Sequence, residues 1–592
     1  MGKELFDNIP SKVGDLLSDV KNGKVGLPDL QRPFVWKDSK ARDLLDSMLK
    51  GYPIGYIMLW QSPDGYETIN HIGTNDKTYI HPDYLVIDGQ QRLTALLAAI
   101  SGIKVKDKNY SERQIRISFN PLTREFAVWT EAYERNPEWI SGISSVFEAD
   151  ANHDVPKFRR QFIRDCNAGR EKNGKAHLTD EEEEAIETNL NDLLNLSIYT
   201  LPTLRINAKA TEEDVAEIFV RVNSGGQKLT EKNFIETLLA VYDNDVHDKI
   251  EKFCSESRIP RDGTSYNFIL KADPSHLIRM AVAVGFRRAR LRYAYMLMRG
   301  KNLETGIVTK KEMDANLTRF KNALDKVTNL NNWHAFMGLF ADAGYVNGSL
   351  VASTNAVVFC YVLYLIGKYD YKVQPIALQK AIKKWIFMST ITYFYTGSTE
   401  SEVEKQFADL RNVHTADEFV SYLDGVISTR FSDDYFNLKL PTDLISAAAI
   451  SPPWFGYIAA LNVLGTPILF GTTTLAAKLL PGASGDKKAI DKHHIFPKNY
   501  LTRIGYTSDR DRNQIANFTY LDYNTNIDIS DDPPVEYVER YRQKLGEDGY
   551  KKTCAENALP VDFEKMSYPD FLEQRRKLMA GIIKKAYQKL CE

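Results

Sequence analysis

Two adjacent histidines, His493 and His494, stand directly ahead of Ile495-Phe496-Pro497. Asn517 follows about one hairpin later and Asn526 about one helix later. Hydrolysis of a phosphodiester needs an activated water, and it needs charge stabilised on the phosphate and on the leaving oxygen. One divalent metal and one histidine base together supply both. Adjacent histidines alone are commonly a chance surface pair; the Ile-Phe-Pro turn and the trailing asparagines are what lift this pair above that reading. His153, His247 and His334 have no comparable neighbours.

A second candidate is the run Val86-Ile87-Asp88-Gly89-Gln90-Gln91-Arg92-Leu93-Thr94. It reads as a buried strand, a tight Asp-Gly turn and the start of a helix. Backbone N–H groups at a helix start can cradle an anion, and the helix dipole adds attraction. Gly89 allows close approach of a phosphate, Arg92 offers a planar donor fork, and Asp88 could hold a metal or orient water. No Walker A pattern is present there. Taken alone, the bland reading is a β-to-α turn with a solvated arginine. A third feature is the basic run 286–293, with Arg287, Arg288, Arg290 and Arg292 between aromatic flanks. It could track a phosphate backbone, or equally form a charged helix face.

The segment from His493 to Asn526 resembles the HNH nuclease motif. The resemblance implies that His493 and Asn526 bind metal, that His494 is the general base and that Asn517 braces the loop holding the base. Asn524 competes with Asn526 for the ligand role. Mg²⁺ is the metal usual to that motif, and a histidine ligand also admits Mn²⁺. The N-terminal run, with Leu30-Gln31-Arg32-Pro33-Phe34-Val35-Trp36 and the run 219–226, resembles the N-terminal domain of GmrSD-type restriction proteins, related in fold to ParB and sulfiredoxin nucleotide-binding domains. That resemblance implies a nucleoside triphosphate site lined by Gln31, Arg32, Asp88, Gly89, Gln91, Arg92 and Thr94, with Arg221, Asn223 and Gly226 closing it. Which triphosphate it takes stays open. The tail segment 568–576 fits the same resemblance, although by itself it reads as an ordinary amphipathic helix.

These motifs need elements to hold them. Asp38 or Ser39 is placed to cap a helix carrying Leu44, Leu45, Met48 and Leu49, with Gly51 to stop it. The runs 115–119 and 126–129 read as a hairpin. Residues 150–195 are polar, carry the acidic run 180–184, and read as an exposed helical insertion. Thr211 and Asp214 form a capping box, and Thr230 caps a further helix. From about 230 to 480 the pattern is mostly helical. The apolar stretch 445–480 is broken by Pro452, Pro453, Asn462 and Pro467, so it predicts a buried helical pair rather than a membrane span. The Pro-Gly-Ala-Ser-Gly-Asp run after residue 480 marks a boundary.

A chain of 592 residues is too long for one core. The expected fold class is α+β multidomain: a ParB/sulfiredoxin-like α/β domain at 1–230, a helical coupling domain at 231–440, and a ββα-metal domain with helical flanks at 441–592. A formal net charge of -2 argues against a chain-wide nucleic-acid coating, while leaving room for a local basic groove. Five widely spaced cysteines, none in a C-x-x-C pair, indicate neither a zinc ribbon nor a disulfide framework and fit a reducing cytosol. The first residues carry scattered charges and no apolar core of a signal peptide. The expectation is therefore a cytoplasmic, nucleotide-regulated DNA endonuclease of phage defence, acting on double-stranded DNA with modified cytosines or a phosphorothioate backbone. Homodimerisation is left open. The rivals are a nucleotide-independent nickase and a ParB-like clamp with an inactive nuclease domain.

Overall fold

A computed structural model describes residues 5–26, 34, 36–61, 69–70, 77–78, 82–106, 112–210, 214–215, 218, 222, 244–290, 292–298, 300, 305, 309–480 and 490–592. The chain divides into two compact units, Met1–Glu251 and Lys252–Glu592. The helical middle and the C-terminal segment thus share one packing unit.

In the first unit, β1 (Phe6–Asn8) is followed by α1 (Val13–Lys21), β2 (Val25–Gly26), α2 (Asp38–Leu49), β3 (Ile57–Gln61) and β4 (Tyr84–Asp88). Then come α3 (Gln90–Ser101), the hairpin β5 (Ile117–Asn120) and β6 (Glu125–Val128), the helices α4 (Val155–Lys172) and α5 (Asp180–Leu194), and β7 (Thr203–Ile206). Five strands form one mixed sheet in the order β1-β7-β3-β4-β2. The β7–β3 and β4–β2 pairs are parallel; β1–β7 and β3–β4 are antiparallel. The central β3 is covered on both faces, which is why it reads as the apolar run Ile57, Met58, Leu59 and Trp60, each at most 1% exposed. Helix α3 buries Leu93 and every residue from Ala95 to Ile100.

The expected helix after residue 38 forms, and Gly51 follows it at φ 71°. Its N-cap is Lys37 rather than Asp38 or Ser39, and no side chain caps it. Asp38 instead pairs with Arg113, which also donates to Trp36 O at 2.7 Å. The 150–195 region is helical but is no exposed insertion. Phe162 and Cys166 of α4 and Ile186, Leu190 and Leu193 of α5 are buried in the core of the unit. The acidic run covers only the outer face of α5, because the apolar residues recur at helical spacing behind it. The Thr211–Asp214 capping box and the Thr230 cap lie outside the described residues.

The second unit is built on apolar helices, among them α6 (Pro274–Phe286), α7 (Thr354–Tyr369), α8 (Pro375–Ile391) and α9 (Pro452–Leu464). Helix α7 is buried almost all round, from Ala356 to Gly367. Within 445–480, α9 and the short helix Leu475–Leu479 form, and α9 is largely buried. Among the described residues, no helix is long and apolar enough to cross a membrane. The boundary after residue 480 falls outside the described residues. The chain then forms β8 (Asp491–His494), α10 (Lys498–Arg503), β9 (Phe518–Leu521) and α11 (Tyr523–Ile529). It finishes with α12 (Pro534–Glu556), which breaks at Gly546 (φ 72°, ψ 162°), and the long helix α13 (Tyr568–Cys591), packed on α9.

Candidate functional site

Strands β8 and β9 pair antiparallel, with His493 opposite Thr519 and His494 opposite Phe518. Successive strand residues face opposite sides of the ladder, so the two histidines have separate surroundings. His493 is only 8% exposed. Its Nδ1–H donates to Asn526 Oδ1 of α11 at 2.7 Å. Asn526, rather than the exposed Asn524, is the asparagine that meets it. With the proton on Nδ1, the lone pair sits on Nε2, which is buried without a hydrogen-bond partner. Burial pushes the His493 imidazole down to about 4; the neighbouring His494 adds to this and the Asn526 bond opposes it. The ring is neutral at pH 7, as a metal ligand must be.

His494 is half-buried, with its ring edge-on to Phe518 at 4.8 Å. Its Nε2 meets Asn513 Oδ1 at 3.0 Å. Burial lowers its pKa; the Asn513 bond opposes this, and the cationic Lys492, Lys498 and Arg512 reinforce it. His494 is therefore also neutral at pH 7, available as a base, with positive charges around it.

Asn517 is fully buried and closes the loop between the strands. Its Oδ1 accepts the Phe496 N–H at 2.8 Å, and its Nδ2 donates to Phe496 O at 3.0 Å and to Arg512 O at 3.3 Å. Its carbonyl accepts the Ile495 N–H at 2.8 Å. The side chain acts as a two-sided staple on the turn that follows the histidines. Three more side chains grip this backbone from the terminal helices. Tyr537 of α12 donates to Ile495 O at 2.6 Å, Tyr568 of α13 to Asp511 O at 2.9 Å, and Arg575 of α13 to Ala516 O at 2.7 Å. Arg575 is 0% exposed, and its Nε and Nη2 have no partner. Asn513 and Tyr537 were not singled out from sequence; Arg575 lies in the tail segment 568–576, which fits the resemblance but by itself reads as an ordinary amphipathic helix. Arg575 sits in the tail helix, where its type and spacing match a charged outer face.

The strand–turn–helix of the first unit forms as expected. Gly89 ends β4 at φ 93°, and a Cβ there would stand 2.4 Å from Ile57 Cδ1, so the turn requires glycine. It is the N-cap of α3, a helix with no side-chain cap and no acidic residue in its first turn. Arg92 folds back over this turn. Its Nη2 lies 4.0 Å from Asp88 Oδ2, and its Nη1 donates to Tyr56 O. Thr94 is 1% exposed, and its hydroxyl is buried without a partner. Asp88, Gly89, Gln91, Arg92 and Thr94 thus share one turn and the helix it opens. Gln31, Arg32, Arg221, Asn223 and Gly226 lie outside the described residues.

In the basic run beyond α6, Arg287 to Arg290 form a bend, and Arg292 opens a short helix, Arg292–Met298. Arg287 pairs with Asp370 and donates to Val284 O at 2.5 Å. Arg288 faces Glu404 at 3.9 Å and lies over the Tyr293 ring. Arg290 reaches Ser401 Oγ at 3.4 Å. The Arg292 side chain lies outside the described residues. Arg287, Arg288 and Arg290 are thereby drawn into bonds within the unit.

Among the described residues there is no group of three or more His, Cys, Asp or Glu side chains that could hold a metal ion. The residues at β8 and α11 nonetheless offer donors for one: the buried, neutral His493 ring has Nδ1 against Asn526 Oδ1 and an unpartnered Nε2. An uncharacterised protein of Methanocaldococcus jannaschii is 23% identical over 556 residues, covering 89% of this chain and 86% of its own. Residues 13–240, which contain the Gly89 turn, match the sequence model of the GmrSD restriction endonuclease N-terminal domain, and this similarity supports a GmrSD-type restriction endonuclease family for the chain.

Proposed function

We propose that the protein is a metal-dependent DNA endonuclease of the HNH type, regulated by a nucleoside triphosphate bound in its N-terminal unit and serving phage defence. The observation that supports this reading is that the four positions fall on one strand pair and the helix after it: His493 bonds Asn526, His494 follows on the other face of β8, and Asn517 pins the turn behind them. His493 and Asn526 would hold the cation, Mg²⁺ or Mn²⁺, with water and substrate oxygens completing the shell. The bound ion would supply Lewis-acid stabilisation of charge on the phosphate and the leaving oxygen. His494, neutral at pH 7, takes the proton from the attacking water. Asn517 keeps the turn rigid, so that the base does not drift from the water it serves. Lys492 adds positive potential that draws in the phosphate backbone, and Lys498 and Arg512, both paired with Asp509, add less.

The similarity to a restriction-endonuclease domain supports DNA as the substrate. The uncapped start of α3, with Gly89 and Arg92, has the donors for a triphosphate. The test is cleavage of unmodified, hydroxymethylated, glucosylated and phosphorothioate DNA, with and without Mg²⁺, Mn²⁺ and each nucleoside triphosphate. Cutting that requires a divalent ion and responds to a triphosphate is expected. Full activity in chelator would overturn the metal assignment, and indifference to every triphosphate would overturn the regulatory one.

A further inference from the structure

We propose that Asn513 is a positioning residue that fixes His494 in the Nε2–H tautomer, leaving Nδ1 as the basic nitrogen. This rests on the reading of His494 as the general base. The carbonyl-type Oδ1 of Asn513 faces Nε2 at 3.0 Å. An amide oxygen can only accept, so Nε2 must carry the proton and the lone pair must lie on Nδ1. Which nitrogen of a histidine is basic is set by the bond the other nitrogen makes.

Asn513 is well placed to hold a ring still. It is the C-cap of the helix Asp509–Arg512, with its own N–H on Asp509 O at 2.9 Å. The backbone just before it is pinned from two directions: Asn517 donates to Arg512 O, and Tyr568 donates to Asp511 O. Phe518 closes the ring on another side, edge-on. Rotation of the imidazole would break the Asn513 bond and press the ring against Phe518. An aspartate here would pair with an imidazolium and hold the proton more tightly. The neutral amide orients the ring without adding that charge.

The experiment uses the full chain with ¹⁵N-labelled histidine. The His494 signals are assigned by their loss in His494→Ala. In wild type, Nε2 is expected to carry the proton and Nδ1 to resonate as an unprotonated nitrogen. Asn513→Ala should give mixed tautomers and slow DNA cleavage about 10–100-fold, the scale seen when the partner orienting a functional histidine is lost. Asn513→Asp should restore the tautomer and recover part of the rate. The other histidine signals, unchanged in both variants, report that the fold survives. The proposal is overturned if Nδ1 carries the proton in wild type, or if either the tautomer or the rate stays at wild type in Asn513→Ala. Its failure is distinct from failure of the nuclease reading, because the tautomer is read without turnover, whereas normal cutting by His494→Ala would remove the base itself.

Discussion

At the scale of residues, His493 bonds Asn526, His494 bonds Asn513 and Asn517 pins the turn that follows the pair, and the reason was partly legible. A histidine pair in a strand splits to opposite faces; Asn526, one helix later, returns to His493, whereas Asn517 bonds the backbone of the turn and neither ring. Sequence could not say which asparagine meets which ring, and Asn513 gave no signal because an asparagine in a polar turn is unremarkable. His493 carries a consequence for stability. Its unfolded pKa is the ordinary 6.5 and its folded value is about 4, so between these the unfolded chain binds more protons. The stability contributed by the neutral ring is present above pH 6.5 and is lost as pH falls towards 4, a change of about 3 kcal/mol. Denaturant melts of the protein in chelator across that range should show this loss, and His493→Gln should lessen it. An unchanged pH slope in His493→Gln would contradict the buried, neutral ring.

At the scale of elements, the strand before Gly89, the hairpin of β5 and β6 and the helix stopped by Gly51 followed from periodicity and turn residues, while the central strand β3 was not read from the sequence. The misreadings came where a tertiary partner decided. Asp38 left the cap for Arg113, and the acidic helix α5 turned out to be a core helix because three apolar residues outweigh an exposed acidic face. In the arginine run after α6, Arg287 and Arg288 turn to Asp370 and Glu404, partners remote in sequence. Helix α13 holds the least legible feature, the fully buried Arg575 bonded to the carbonyl beside Asn517. Arg575→Met should lower cleavage about 10–100-fold through a looser catalytic turn, while stability changes less. Leaving Ala516 O unpaired costs roughly 1–3 kcal/mol, and relief from burying a cation without a carboxylate partner offsets part of that. Calorimetry and single-turnover cleavage of the same preparation check this; a variant that melts much earlier yet cuts normally would contradict it. At the other helix start, Arg92→Ala should weaken triphosphate binding, read by equilibrium titration with the catalytic turn intact. Unaltered binding would place the triphosphate elsewhere.

At the scale of the whole molecule, the proposed triphosphate site at the start of α3 lies in the first unit and the proposed hydrolytic site at β8 and β9 in the second. Joining them has a purpose if binding at one shifts the population of states at the other, a free-energy linkage whose sign the geometry leaves to experiment. The two-unit division places each set of residues wholly within its own unit, so His494→Ala should keep triphosphate binding. The measurement that tests the central claim most directly is a cleavage time course on the modified and unmodified DNA panel, comparing wild type with His494→Ala, each with Mg²⁺ or Mn²⁺ and with excess EDTA. The account predicts cutting by wild type only when the divalent ion is present, and a rate about 10²–10⁴-fold lower in the folded His494→Ala protein. Wild-type cutting in EDTA, or near-wild-type cutting by His494→Ala, would contradict it.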